Sequence, residues 1–191
     1  MADLSFGVLY EIKNRGNFRS WLEENSEKEK ECYVVVKRGE PKGDDILYYL
    51  DAVYEAICFG WIDSVTRRDL EGRMIQRFSP RRKNSNWTEL NKERARKLKE
   101  LGLMTKYGEK TLPDLEKRFV VDEDIMKIFA ADGKFLEMLK ELPDLYFRVR
   151  VDNIQKVRKD SKYFSIRLKK FIDMTKLGKL YGDWNDYGRL I

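Results

Sequence analysis

The amino-acid sequence predicts an α+β fold, in which a small antiparallel sheet with packed helices is followed by an all-α C-terminal part. Two β-rich segments flank the turn sequence Asp-Leu-Glu-Gly at residues 69–72, which is typical of a hairpin. Apolar residues recur at helical spacing on both sides of that hairpin, and helical patterns dominate the second half of the chain. We therefore expect an α+β domain over residues 1–103 and a helical part over residues 104–191 that packs on it.

The elements before the hairpin follow from apolar spacing and from one glycine. Phe18, Trp21 and Leu22 have the i, i+3, i+4 spacing of one helix face. The β-branched run CYVVVK is apolar without clear alternation, which indicates a buried strand. Gly60 stands where a preceding helix would end. The predicted elements are a strand at residues 4–10, a helix at 17–25, a strand at 32–37 and a helix at 47–59.

The hairpin leads into a helix with a basic surface. Met74, Gln76 and Phe78 share one face of the second strand because side chains alternate along a strand. Asn86 is a good N-cap residue and Glu89 follows it at the spacing of a capping box. The predicted elements are strands at residues 62–67 and 73–79 and a helix at 87–101.

The C-terminal part reads as a series of helices separated by glycine and proline. The segment over residues 144–158 is ambiguous, because Phe147, Val149 and Val151 alternate as in a strand. The helical spacing continues to Ile154, so we predict a helix there. The predicted elements are helices at residues 106–117, 124–131, 134–141, 144–158 and 161–177, with an extended segment at 119–121.

Composition indicates a folded protein of the reduced cytoplasm. The chain has 191 residues, of which 42% are hydrophobic and 13% aromatic, enough for a core and too many for a disordered chain. No apolar run approaches the length of about 18 residues that a membrane span needs. Residues 1–7 lack the features of a signal peptide. Cys32 and Cys58 do not have the spacing of a disulfide framework or a metal site. We expect a cytoplasmic location.

The chain contains no histidine, which restricts the chemistry available to it. Histidine-activated nucleophiles and histidine-ligated metals are excluded. There is also no Walker loop, dinucleotide-binding glycine motif or calcium loop. The sequence therefore predicts no metal ion, no cofactor and no catalytic residue, and any enzyme activity would depend on carboxylates, Lys, Tyr or Cys.

Positive charge is concentrated in one region. Between Arg67 and Lys99 there are twelve Lys or Arg and four Asp or Glu, whereas the whole chain has a net charge of +6. Such a region favours an anionic partner, either a small molecule, an acidic protein or nucleic acid. A solvated helix face with a polar loop is an alternative explanation for the same charges.

Three cations precede the basic helix and suggest an anion-binding groove around residues 77–91. Arg81 and Arg82 can hold a phosphate or carboxylate through two hydrogen bonds each, close to the positive end of a helix. The alternative is structural: the cap satisfies the helix, the aromatic residues belong to the core and Asp63 pairs with Arg77. The candidate ligand-binding residues are Trp61, Asp63, Ser64, Gln76, Arg77, Arg81, Arg82, Ser85, Trp87 and Asn91.

Several long motifs resemble the bacterial YdeI/OmpD-associated family, also called the bacteriocin-protection family. They are FRxWLxxN at residues 18–25, YEAxCFGWIDS at 54–64, QRFSPRRxxSxW at 76–87 and GLMTKYG at 102–108, with Asn91, the pair at 142–143 and the helix at 161–178. The sequence departs from the family at Asn25-Ser26, where members often carry Asn-His. The resemblance implies a cytoplasmic bacterial protein linked to envelope stress and antimicrobial-peptide resistance, and it supplies no catalytic residues.

Three functions agree with these observations. The first is a non-enzymatic binding or stress-protection protein whose groove recognises an anionic small molecule or an acidic protein. The second is a weak nucleic-acid-binding protein that uses the basic region. The third is an enzyme that acts on a phosphorylated or acidic small molecule through Asp63.

Overall fold

The computed structural model describes residues 7–83 and 85–191 and confirms the α+β fold. The chain divides into two compact units, which do not coincide with the two halves of the sequence. The first unit contains Met1–Ser85 and Arg94–Pro113, and the second contains Asn86–Glu93 and Asp114–Ile191. The predicted boundary at Leu103 falls within the second stretch of the first unit, and one helix contributes residues to both units.

The first unit combines a small sheet with helices. Its elements are α1 (Arg15–Asn25), β1 (Cys32–Val35), α2 (Tyr49–Cys58), β2 (Trp61–Arg68), β3 (Met74–Pro80), the C-terminal part of α3 (Glu89–Glu100) and α4 (Lys106–Lys110). The sheet is antiparallel in the order β1-β3-β2, so β3 is the central strand.

The predicted hairpin between β2 and β3 is confirmed, and it contains a bulge. Pairing runs from Trp61 opposite Pro80 to Arg68 opposite Met74, with an irregularity between Asp63 and Thr66. The fully buried amide of Gln76 fills this irregularity, accepting from the Thr66 hydroxyl at 2.7 Å and donating to backbone carbonyls of β2. Because its hydrogen-bonding groups are used inside the sheet, Gln76 has a structural role.

Aromatic residues of α1 and the sheet form the core of the first unit. The Phe18 and Phe78 rings lie 5.3 Å apart, and Trp21 meets Trp61 edge-on at 5.8 Å. Trp61 is fully buried, and its indole nitrogen donates to the Ser26 carbonyl at 3.1 Å. Trp61 is therefore a core residue, as the structural alternative expected.

The end of α2 is fixed by a close backbone contact with α4. The Thr105 hydroxyl caps α4 by accepting from the Gly108 N–H, and it also donates to the Cys58 carbonyl at 2.8 Å. A Cβ atom at Gly108 would lie 2.0 Å from the Cys58 oxygen, so this position requires glycine. Gly60, at a φ of 71°, ends the preceding segment as expected.

The second unit is all-α in the part that the structure describes. Its helices are the start of α3, then α5 (Glu123–Ala130), α6 (Gly133–Lys140), α7 (Asp144–Gln155) and α8 (Ser161–Lys176). Phe129, Phe135 and Phe171 meet in its core, with ring centroids 5.5 to 6.5 Å apart. The ambiguous segment over residues 144–158 forms α7, which confirms the predicted helix.

Two local predictions need correction, and a third lies partly outside the described residues. The helix expected at residues 106–117 ends at Lys110, and the segment at 119–121, expected to be extended, belongs to no helix or strand. The N-cap of α3 is Thr88 and not Asn86, because the Thr88 hydroxyl accepts the Asn91 N–H at 3.1 Å. Part of the strand expected at residues 4–10 lies outside the described residues, and Val8 forms an isolated bridge with Tyr33.

No helix in the described ranges is long and apolar enough to cross a membrane.

Candidate functional site

The predicted ligand-binding residues divide between the two units. Trp87 and Asn91 belong to the second unit, and the other eight belong to the first. Among those eight, Trp61 is buried in the core, and Gln76 forms hydrogen bonds within the sheet. Arg82 is exposed, and its carbonyl accepts the Ser85 N–H at 2.9 Å. The ten predicted residues therefore do not form one site, because some are buried structural residues and others are exposed.

Arg77 is held in an ion pair at the surface. Its Nε donates to Glu31 at 2.6 Å and a terminal nitrogen donates to the Ser64 hydroxyl at 2.9 Å. The hydrogen bond from Arg77 to Glu31 raises the pKa of the guanidinium. Asp63 lies opposite Phe78, whose neighbour Arg77 points to the other face of the sheet. Arg77 thus pairs with Glu31 instead of with Asp63.

The start of α3 already holds a carboxylate of the second unit. The backbone N–H of Glu89 donates to Asp152 Oδ2 at 3.0 Å, and Asp152 is largely buried. Burial raises the pKa of Asp152. The positive end of a helix stabilises such a carboxylate. Asp152 therefore occupies a position that the sequence suggested for an external anion.

The side chain of Glu89 is also used inside the second unit. It is 2% exposed and pairs with Lys92 at 2.7 Å and with Arg148 at 3.0 Å. Burial acts to raise the pKa of Glu89, but the hydrogen bonds from these two cations outweigh it and lower the pKa. Lys156 donates to the Trp87 carbonyl at 2.9 Å. This end of α3 is built from internal ion pairs.

A different group of residues forms the best candidate site of the first unit. The Tyr49 hydroxyl, at the start of α2, donates to Asp63 Oδ2 of β2 at 2.7 Å. Burial raises the pKa of Tyr49 to about 12, and the neighbouring Asp63 charge acts in the same direction. The phenol therefore stays protonated at neutral pH and acts as a hydrogen-bond donor.

Arginines surround this pair. The Arg38 guanidinium lies 3.5 Å from the centre of the Tyr49 ring, stacked on it, and its Nε is 3.2 Å from Met74 Sδ. Arg94 is buried on α3 and acts electrostatically on Tyr49. We call the group that these residues form with Asp63 and the nearby Arg81 the Tyr49 cluster; its members are Arg38, Tyr49, Asp63, Arg81 and Arg94.

Arg81 is the most unusual member of the Tyr49 cluster. It follows the end of β3, its backbone N–H donates to the Gly60 carbonyl at 2.9 Å, and the residue is only 7% exposed. Burial lowers the pKa of Arg81 to about 10, although the Asp63 charge opposes the shift. The effect of burial on the pKa of Arg81 is thus larger than the opposing effect of the Asp63 charge.

The sequence identified Asp63 and Arg81 but missed Arg38, Tyr49 and Arg94. Those three come from separate segments that only the fold brings together. One signal was present in the sequence: Arg94 stands among Leu90, Leu98 and Leu101 in the apolar stripe of the predicted helix. A charged residue at such a position must find polar partners when the helix packs.

A second charged group lies at the start of α1. Glu55 is 1% exposed and accepts from Arg15 at 2.5 Å and from Arg19 at 2.8 Å. These side chains line a cleft of about 440 Å³. Asp51 adds a second carboxylate 3.9 Å from Arg15, so acids and bases are balanced in this group. That balance makes it a weaker candidate for anion binding than the Tyr49 cluster.

The two cysteines do not have the properties of nucleophiles. Both are buried, and burial raises the pKa of Cys32 and the pKa of Cys58 to about 12 each. A thiol with such a pKa is scarcely ionised at neutral pH. Over residues 7–83 and 85–191, the structure also shows no group of three or more Cys, Asp or Glu residues placed to hold a metal ion.

Comparison with known proteins gives a family but no activity. A family described as a domain of unknown function, DUF8412, matches residues 10–111, which are just over half of the chain. No curated protein and no solved structure matches the chain significantly. The matched range contains the whole Tyr49 cluster and ends within the first unit, at Thr111. The chain therefore belongs to the DUF8412 family.

Proposed function

We propose that the first unit is a binding module that recognises a small anionic ligand through the Tyr49 cluster. The observation that supports this most is Arg81, a guanidinium that is 7% exposed, lies near Asp63 and has its pKa lowered to about 10 by burial. A phosphate or carboxylate can bond a guanidinium through two parallel N–H groups. The Arg38 guanidinium, stacked on the Tyr49 ring, supplies further N–H donors and positive charge. The Tyr49 hydroxyl donates to Asp63 and so holds that carboxylate in place.

The chemistry of the cluster favours binding over catalysis. A general base works best when its pKa is near the working pH. The pKa of Tyr49 is about 12, so this group remains protonated at neutral pH. The alternative, an enzyme that acts on a phosphorylated or acidic small molecule, would have to use Asp63, which already accepts the Tyr49 hydrogen bond. We therefore favour a binding module over an enzyme.

A nucleic-acid-binding role is also less favoured. Several cations of the basic region are paired with carboxylates inside the protein: Arg73 with Asp69 and Glu71, Arg77 with Glu31, Lys92 with Glu89, and Lys97 with Glu100. A cation that is already paired releases fewer counterions from a phosphate backbone. We expect only weak, non-specific binding of DNA or RNA.

The wider part of the proposal is that this is a cytoplasmic bacterial protein with a role in envelope stress and resistance to antimicrobial peptides. It rests on the motifs that resemble the YdeI/OmpD-associated family. Deletion of the gene should then increase sensitivity to a cationic antimicrobial peptide, and the wild-type gene should restore resistance. If an Arg81→Gln gene restores resistance equally well, the protective role does not depend on the proposed binding site.

The binding site is tested by thermal unfolding with phosphate, sulfate and a nucleoside monophosphate. An anion that binds only the folded protein raises its stability, by about 2.7 kcal/mol at a concentration of 100 times Kd. Arg81→Gln should show a smaller increase than the wild type, whereas Arg82→Gln should keep the full increase, since Arg82 is exposed. Equal stabilisation of both variants would reject the Tyr49 cluster as the site.

A further inference from the structure

A second cationic pocket lies in the all-α unit, in a part of the chain that the DUF8412 match does not cover. It has a volume of about 320 Å³ and lies where α7, α8 and the segment after α8 meet. Three of its lining residues are cations and none is a carboxylate; its polar lining residues are Arg150, Asn153, Arg167, Lys170 and Tyr181. Its size is at the lower end of the range for small-molecule sites.

Arg150 of α7 is the most buried of the three cations that line this pocket. One terminal nitrogen donates to the Asp183 carbonyl at 2.8 Å, and the guanidinium lies 5.0 Å from the centre of the Tyr181 ring. A Cβ atom at Gly182 would lie 2.7 Å from the guanidinium, and Gly182 has a φ of 69°. The segment after α8 thus contacts the Arg150 guanidinium through the Asp183 carbonyl and the Tyr181 ring, and Gly182 leaves room for it.

Part of the Arg150 guanidinium remains unsatisfied. The residue is 9% exposed, and its Nε is buried without a hydrogen-bond partner among the described residues. Burial lowers the pKa of Arg150, although Tyr181, Tyr146 and the Asp183 charge oppose the shift. A buried N–H without an acceptor is unfavourable unless a ligand or water supplies one.

The other two cations that line the pocket belong to α8. Arg167 and Lys170 are three residues apart, which places them next to each other on a helix surface. Arg167 donates to the Asn153 carbonyl at 2.7 Å, and Lys170 lies 4.7 Å from the centre of the Tyr181 ring. Neither has an ion-pair partner in the described part of the chain, whereas Lys169 pairs with Asp173 and Lys176 pairs with Asp132.

We propose that this pocket binds a compact polyanion, with Arg150, Arg167 and Lys170 as its cationic ligands. The shared chemistry of such ligands is two or more negative charges on a short carbon skeleton, as in a sugar phosphate or a small polycarboxylate. The charged groups contact the three cations, and the skeleton lies against Ile154 and Ile166, which complete the lining. This site is independent of the Tyr49 cluster and does not rest on the function proposed for it.

The test is calorimetric titration of the full chain with ribose 5-phosphate, citrate and acetate at millimolar concentrations. The variant Arg167→Gln/Lys170→Gln removes two exposed cations from the pocket and should weaken binding by at least about tenfold, or 1.4 kcal/mol. The control Lys162→Gln/Lys169→Gln removes the same charge from exposed positions of the same helix and should bind as the wild type does. Acetate, with one charge, should bind more weakly than either polyanion.

The same titrations also distinguish the second-unit pocket from the Tyr49 cluster and identify the class of ligand. Arg81→Gln should leave tight binding at the second-unit pocket unchanged. A preference for ribose 5-phosphate would indicate phosphate esters, and a preference for citrate would indicate polycarboxylates. The proposal is overturned if the wild type binds none of these ligands, or if the pocket variant and its control lose affinity equally.

Discussion

The hydroxyl of Tyr49 donates a 2.7 Å hydrogen bond to Asp63 and so links the first turn of α2 to β2. This link places a protonated phenol and a carboxylate between arginines from three other segments of the first unit. A partly buried Tyr–Asp pair of this kind has consequences for stability at high pH and for the affinity of an anion.

The first prediction concerns the alkaline stability that Tyr49 contributes. Its pKa is raised from 10.0 to about 12 on folding, so the protonated form is favoured in the folded state. This stabilisation is fully present below pH 10 and is lost as the pH rises from about 10 to 12. Tyr49→Phe should remove that part of the decline in the free energy of unfolding.

Urea unfolding of both proteins at pH 8 and at pH 11 measures the effect. Burial also raises the pKa of Cys32 and of Cys58, so the wild type and Tyr49→Phe will share the part of the decline that is due to the thiols. Only the difference between the two proteins reports on Tyr49. An identical decline in both would show that the phenol ionises normally.

A second prediction follows from the charge of Asp63. Its carboxylate repels an anion that approaches Arg81, and it is the Asp63 charge that opposes the lowered pKa of Arg81. Asp63→Asn keeps an acceptor for Tyr49 and removes the charge, so phosphate should bind more tightly, by about threefold to tenfold. Calorimetry at constant ionic strength checks this. Weaker phosphate binding in Asp63→Asn would mean that the carboxylate orients the site instead of opposing the ligand.

The third prediction tests the buried carboxylate on α2. Glu55 is 1% exposed and bonds two arginines, so Glu55→Gln leaves those cations with a neutral partner. We expect a loss of about 2 kcal/mol, smaller than for a fully buried pair because Arg15 and Arg19 retain contact with solvent. Chemical denaturation measures it.

Glu23 offers a matched control for this change. It pairs with the same Arg19 at 3.2 Å, but its side chain is 54% exposed. Glu23→Gln should therefore change the free energy of unfolding by less than about 0.5 kcal/mol. If Glu23→Gln costs as much as Glu55→Gln, burial is not what makes the Glu55 contacts important.

The fourth prediction concerns the contact between α4 and the end of α2. Gly108→Ala would place a methyl group 2.0 Å from the Cys58 oxygen, which forces the backbones apart. We expect a loss of about 2 to 3 kcal/mol. Gly16→Ala, on α1, meets only ordinary contacts and should be neutral or stabilising by up to about 1 kcal/mol. Equal effects at the two positions would contradict the close contact.

The fifth prediction is that the chain unfolds in one transition. The helix α3 begins in the second unit and ends in the first, with Glu89 buried in one and Leu98 buried in the other. Loss of either unit should therefore destabilise the helix that both require. Circular dichroism and tryptophan fluorescence should give coincident curves. Two separate transitions, or a stably folded fragment that ends at Leu101, would indicate independent units.

Most helices and strands were predictable because the apolar spacing and capping residues that define them are close together in the sequence. The last helix was predicted at residues 161–177 and is observed at Ser161–Lys176, with the Asp160 side chain capping it. The start of α3 was not predictable to the same degree. Asp152, far away in the sequence, bonds the Glu89 N–H, and Thr88 supplies the cap. No local pattern around Asn86 contains that partner.

The candidate site was predictable only in part, for a related reason. Asp63 and Arg81 lie in the segment of basic and polar residues around the hairpin, whose concentrated positive charge indicated an anion site. Arg38 follows β1 and Tyr49 begins α2, so their contact with each other depends on how these elements pack. Arg82, next to Arg81 and chemically identical to it, is exposed. Neighbouring loop positions can therefore differ in burial even when they carry the same type of residue.

The most direct test of the central claim is a crystal structure of the full chain grown with selenate, whose anomalous scattering locates the anion. The account predicts a selenate peak within hydrogen-bonding distance of the Arg81 guanidinium, on the side of Tyr49, and the loss of that peak in Arg81→Gln. A structure in which selenate occupies other positions at high occupancy, with none beside Arg81, would contradict it.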